Sequence, residues 1–359
     1  MPEHQPMGQM MISQAVRELV EATRRPLQSN QIPVVMARLE SALIDHPEPA
    51  DQGMLLTARA LIGQHADTPE QTDRWLTDAL PHLRSEALWD AYATAATSAA
   101  NAAMQAGDHQ QAIAHGIDAL ATLGNADVEL SDEVLPSVTG NLGALFRELG
   151  DWSTAFDLAR QSWRASLVGH PSSTIAATAL LLADTALDGQ RALDPGPEIA
   201  REWIDTAARA ALAIVEHSTT DHERSARGHR VMARVCLERG DLTAARRHMT
   251  VALAELGSAE PTTAGNICLT EGMLLYAEGH PAQALTRFDR AFDELGAASG
   301  QRRLVLQQRS AAAVAVGAFD RAWADAAQLA DLHSQRLTDY VGAFVGGSTQ
   351  WHPSSRPET

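Results

Sequence analysis

The sequence predicts an all-α chain, a right-handed solenoid of about eight helix hairpins with a carboxyl-terminal capping helix. Three observations carry this expectation. A phrase of glycine, an acidic or small residue, a variable residue and then alanine three positions on recurs down the chain. Apolar residues at helical spacing flank every copy, and β-branched or aromatic runs of strand length are nearly absent.

The first two hairpins, over residues 12–43 and 54–80, lack the phrase, but Thr68-Pro69-Glu70-Gln71 forms a capping box with proline at the first helical position. The third and fourth turn at Gly107-Asp108 and Gly150-Asp151, followed by Ala112 and Ala155. The sixth, seventh and eighth turn at Gly240-Asp241, Gly279-His280 and Gly317-Ala318, with Ala245, Ala284 and Ala322 behind them. The marker glycines are spaced by 43, 90, 39 and 38 residues, so the gap of 90 holds a fifth hairpin. Its turn is expected near Asp188-Gly189, lengthened by residues 191–197. In each phrase the glycine closes a helix in the left-handed conformation, and the aspartate caps the next by accepting from its free amides. Gly143, Ala233 and Gly272, seven positions before their marker glycines, mark where the paired helices press closest.

After the last hairpin, Leu332, Leu337, Tyr340, Val341 and Phe344 form an amphipathic stripe. It is read as a cap on the final exposed face. Leu337, Tyr340, Val341 and Phe344 are also the candidate docking helix, through which a homodimer could form. Residues 1–10 and 346–359 are expected to be disordered, with one solenoid over 11–345.

The pattern of a large residue, a small one, an aromatic, glycine, then alanine, aromatic and alanine closely resembles the tetratricopeptide repeat. The resemblance covers residues 11 to 336. Its unit is longer than that repeat's usual 34 residues. The longer unit resembles the sensor region of bacterial maltose-activator-type regulators and the helical region of actinobacterial GGDEF proteins. The resemblance implies a superhelix whose first helices line a concave groove that binds a protein or peptide.

Composition bounds the function. A net charge of −17 argues against nucleic-acid and anionic-membrane partners. All 28 basic residues are arginine, and asparagine is scarce, which points to a GC-rich bacterial genome. Two cysteines, Cys236 and Cys268, make no disulfide framework, and no signal peptide or spanning helix is legible, so the cytoplasm is the expected compartment.

The strongest candidate site is an arginine stripe of Arg224, Arg227, Arg230 and Arg234 on the first helix of the sixth hairpin, within an arc of roughly 120°. With the groove the resemblance implies, Arg227, Arg230 and Arg234 would anchor an acidic or carboxyl-terminal peptide. Alternatively, neighbouring carboxylates neutralise them. Asn101, Asn141, Asn266, Met273 and Tyr276 occupy equivalent groove-facing places, with Thr94, Thr97, Arg147, Thr270 and Gln307. His217, Asp221, His222, Glu223 and His229 cluster, but match no zinc spacing, so no metal and no cofactor are expected. Trp152, Trp163, Trp203 and Trp323 are expected to pack within or between repeats. No phosphate loop, serine elbow or metalloprotease motif occurs, so no enzyme is expected. The leading expectation is a non-enzymatic peptide-binding scaffold. The alternative is a regulatory module whose effector domain lies on another chain.

Overall fold

The computed structural model describes residues 12–23, 28, 30–64, 67–218, 221–257, 260–295 and 301–346, with side chains as far as residue 332. Among them are sixteen helices and no strand. They follow in pairs: α1 (Gln14–Thr23) and α2 (Ile32–Asp45), α3 (Pro49–Gly63) and α4 (Pro69–Ser85), α5 (Trp89–Ala106) and α6 (His109–Leu123), α7 (Leu135–Leu149) and α8 (Trp152–Ser166). The rest are α9 (Ser172–Leu193) and α10 (Pro197–Glu216), α11 (His222–Glu238) and α12 (Leu242–Glu255), α13 (Pro261–Ala277) and α14 (Pro281–Glu294), α15 (Arg302–Ala315) and α16 (Phe319–Gly346). The expected disordered ends fall on residues outside the described set, except Gly346, which is the last residue of α16.

The turn chemistry is that of the repeated phrase. All five marker glycines take φ between +76° and +84°, a region that clashes with a side chain. At each, the same two bonds close the helix: Gly107 N–H returns to the Met104 carbonyl and Asp108 N–H to that of Ala103, and so at the other four. Asp108, Asp151 and Asp241 then accept from the amides of Gln111, Thr154 and Ala244. Removing one cap with Asp241→Ala is expected to lower stability by about 1 kcal/mol. An unchanged urea midpoint would reject that value.

The fifth hairpin turns later than the sequence suggests. Helix α9 runs on through Gly189 to Leu193, and the chain reverses at Asp194, which takes a φ of +43°. Gly189 is small for another reason. A Cβ there would stand 2.4 Å from the Trp203 ring of α10 and 3.2 Å from Trp152 Cβ. Gly143 and Gly272 serve the expected close approach, the first against the α8 backbone and the second under Phe288.

Consecutive helices pack throughout, and first helices also pack on one another in the order α5, α7, α9, α11, α13, α15. The core is a line of buried clusters between pairs, largely alanine and leucine, that runs along the coil. Phe156 and Trp203 stack at 4.6 Å within it, whereas Trp323 is 78% exposed and does not pack as expected. The carboxyl-terminal cap is the second half of α16, and that helix reaches back to pack on α6. Two further contacts cross the coil. Gln301 donates to Asp188 at 2.8 Å, and the Arg303 guanidinium lies 5.5 Å from the centre of the Trp152 ring. Among the described residues no helix is long and apolar enough to cross a membrane.

Candidate functional site

The row of first helices makes one wall, and its centre is a buried ionic network. Asp184 and Asp188 stand one turn apart on α9, and Arg230 and Arg234 one turn apart on α11, so the two pairs meet when these helices pack. Arg230 Nη2 donates to both oxygens of Asp184 at 2.8 and 2.7 Å. Arg234 donates to Asp188 at 2.7 Å and more distantly to Asp184 at 3.5 Å. Arg147 of α7 donates to the other oxygen of Asp188 at 2.6 Å, which also accepts from Gln301. Arg191 and Glu238 pair beside the network.

These groups are taken out of water together. Arg230 is 3% exposed and Arg234 1% exposed. Burial pulls the Arg234 guanidinium down, but Asp188 and Asp184 outweigh it and leave it above its ordinary value. Burial likewise opposes charge on Asp188, yet Arg234 and Arg147 hold its carboxyl well below the usual carboxylate range. The Nε–H groups of Arg230 and Arg234 are buried without an acceptor among the described residues.

This corrects the expectation of an open arginine stripe. Arg230 and Arg234 do not project into solvent, because the facing helix carries two carboxylates at matching spacing. Arg224 pairs with Asp221 of its own cap. Arg227 alone of the three proposed anchors stays partly exposed, with 34% of its side chain accessible. Its Nε donates to Thr263 at 2.9 Å, and its Nη2 bonds Glu223 and lies 3.6 Å from Glu260. The Thr263 hydroxyl and then Arg227 draw the Glu223 carboxyl below its ordinary value.

The other groove candidates divide. Asn101, Asn141 and Asn266 are half-buried on α5, α7 and α13, and the side-chain Oδ1 of Asn266 has no partner among the described residues. Tyr276 is 39% exposed. Met273 belongs instead to the core, packed with Cys268 and Phe288, because α13 is buried around most of its circumference. Thr97 and Thr270 are buried and donate to carbonyls of their own helices, while Gln307 is exposed. The docking stripe of Leu337, Tyr340, Val341 and Phe344 lies on the α16 backbone, but its side chains fall outside the described residues.

The histidine cluster separates into pairs. His217 bonds Ser172, His222 bonds Glu255 and His229 bonds His248. Among the described residues no three or more histidine, cysteine or acidic side chains gather for a metal. Both cysteines are free, and burial raises each thiol, so they stay protonated at neutral pH. One hydroxyl, imidazole and carboxylate do meet, at Thr77, His115 and Asp73. Both partners address the same ring nitrogen of His115, at 3.3 and 3.5 Å. A relay of the serine-hydrolase kind places them on opposite nitrogens, an arrangement this trio does not have.

Sequence reasoning missed Asp184, Asp188 and Gln301. The available signal was two aspartates at i and i+4 on an otherwise apolar helix, mirrored by two arginines at the same spacing two helices on.

No family model matches the sequence, and no curated protein matches it. Solved structures are similar in fold. The crystal structure of a Rap protein complexed with competence and sporulation factor has a TM-score of 0.58 at 11% identity, covering 91% of this chain and 100% of that one. The apo form of the quorum sensor NprR from B. thuringiensis has a TM-score of 0.54 at 14% identity, covering 89% and 87%. The human IFIT1 dimer with PPP-AAAA has a TM-score of 0.51 at 14% identity, covering 87% and 69%. The chain therefore has the fold of the tetratricopeptide-type helical-repeat proteins.

Proposed function

We propose that the chain is a non-enzymatic cytoplasmic binding protein that takes an acidic or carboxyl-terminal peptide segment along its wall of first helices. The donor-rich centre of that wall carries this reading. In the bonded set three guanidiniums face two carboxylates, and two buried Nε–H groups lack acceptors. That excess of positive charge in the wall favours an incoming carboxylate over an incoming cation, while the two Nε–H groups, sealed from solvent, take no part in capture. Arg227, at the accessible edge, makes the first contact. Asn101, Asn141 and Asn266 supply amides for the backbone of an extended segment, and Tyr276 an exposed ring.

The test is fluorescence anisotropy with a labelled ten-residue peptide of aspartate and glutamate ending in a free carboxylate. Arg227→Ala is expected to weaken binding by about 2 kcal/mol, roughly thirtyfold, with helicity and melting temperature unchanged. Equal affinity in that variant, or no binding by the wild type, would sink the acidic-peptide reading. Arg230 and Arg234 are unsuited to this test, because their removal strips Asp184 and Asp188 of buried partners.

A regulatory role is the second reading, with the effector domain on another chain. Two of the similar structures favour it, one named for a complex with competence and sporulation factor and the other a quorum sensor. Thermal-shift measurements with peptides and with metabolites separate the readings. A shift with metabolites alone favours the sensor.

A further inference from the structure

We propose that the exposed face of α16 over residues 319–330 is a dimer surface, on which the same face of a second copy packs antiparallel about a two-fold axis. Five residues fall within an arc of roughly 100° on this helix: Phe319, Trp323, Ala326, Ala327 and Ala330. All five are apolar and exposed, Phe319 at 66% and Trp323 at 78%. Single exposed apolar side chains are ordinary, but a neutral stripe that opens on two bare rings is not.

The repeat shows what such a face does. Trp323 stands at the sixth position after its marker glycine, Gly317, and Phe156 and Arg246 hold that position after Gly150 and Gly240. Phe156 stacks at 4.6 Å on Trp203 of the next hairpin, and Arg246 donates at 2.7 Å to Glu278, also on the next hairpin. Leu285, in the same place after Gly279, packs against the cluster that holds Val305 and Ala312 of α15. The position is therefore one where hairpins stack, and no further helix follows α16 among the described residues. The chain's own tail does not supply a cover. Gly346, the last residue of α16, lies about 35 Å along the helix from Trp323. Trp351 spans back from there by at most about 18 Å.

The stripe is complementary to itself. Its rings lie toward the start of α16 and its alanines follow, so an antiparallel copy lays rings over small residues. An axis between Ala326 and Ala327 sets Trp323 opposite Ala330 of the second copy. Such a contact closes at two copies. The charged residues beside the stripe are engaged elsewhere, Arg321 with Asp289 and Asp325 with Arg309. Two copies of net charge −17 thus meet through an uncharged strip. A covered aromatic ring buries about 150–250 Å². With the alanines, two copies bury on the order of 1,000 Å², the low end for a specific interface and suited to association at micromolar concentration.

Sedimentation velocity on the full chain, from about 1 to 100 µM, tests the surface. The expected result is a monomer–dimer equilibrium with a Kd of about 10 µM and no larger species. Trp323→Glu should weaken association at least about a hundredfold, with helicity and melting temperature unchanged because the side chain is exposed in the monomer. Ala330→Trp adds apolar surface but fills the place of the incoming ring, so it should weaken association at least about tenfold. Ile44→Glu replaces a comparably exposed apolar residue on α2 and should leave association unchanged. A monomer at every concentration, assembly beyond two copies, or a dimer indifferent to Trp323→Glu would overturn the proposal. So would an equal loss in Ile44→Glu, or association in Ala330→Trp as tight as in the wild type.

Discussion

Replacing Asp188 with alanine is expected to lower the unfolding free energy by about 3–5 kcal/mol, because it leaves Arg147 and Arg234 buried beside each other without their shared counter-charge. The loss should exceed that of any cap in the coil. Asp188 accepts from three side chains on three different elements, and its carboxylate is 8% exposed, so water cannot replace it. Urea unfolding gives the number, and a loss under about 1 kcal/mol would show that the network contributes little. Asp188→Asn keeps an oxygen to accept with but removes the charge, so it should fall between wild type and alanine. The pH dependence follows from the direction of the shift. Arg234 and Arg147, outweighing burial, hold the folded carboxyl below its unfolded value. Such a group adds its full stability above the unfolded value of about 3.9 and loses it as pH falls toward the folded value. The advantage of wild type over Asp188→Asn should be flat from about pH 7 to 5 and narrow only below about pH 4.

The second large effect is expected at Phe288, which is fully buried in the cluster of α13, α14 and α15. Its ring fills the space above Gly272, where even a methyl group would stand 2.5 Å from it. Phe288→Ala removes the ring and leaves a void that the glycine cannot fill, at a cost of about 3–5 kcal/mol. In a stacked array this damage is local. Hydrogen exchange should therefore quicken in α13 to α16 before α3 to α6. Uniform quickening would mean that the seventh hairpin is not an independent weak point.

The helix pairs were legible because their signals are local. A glycine followed by aspartate states a left-handed turn and a cap within two residues, and no distant contact is needed to read it. Gly189 was misread because the same residue type also serves close packing, and only the position of the Trp203 ring distinguishes the two. The binding face was harder to read. Arg230 and Arg234 reveal their partners only when read together with the two aspartates at matching spacing 46 residues earlier. Met273 sits on a helix buried over most of its surface, where apolar spacing no longer marks a side. Gln301 reaches Asp188 across 113 residues, beyond any periodic signal.

That last contact changes the mechanics of the coil. A row of stacked hairpins stretches like a soft spring, since small rotations at each junction add along its length. The Gln301 amide and the Arg303 guanidinium tie the start of α15 to the middle of the chain, as a strut ties one coil of a spring to another. Between these points the pitch is set, and the spring yields only when the strut lets go.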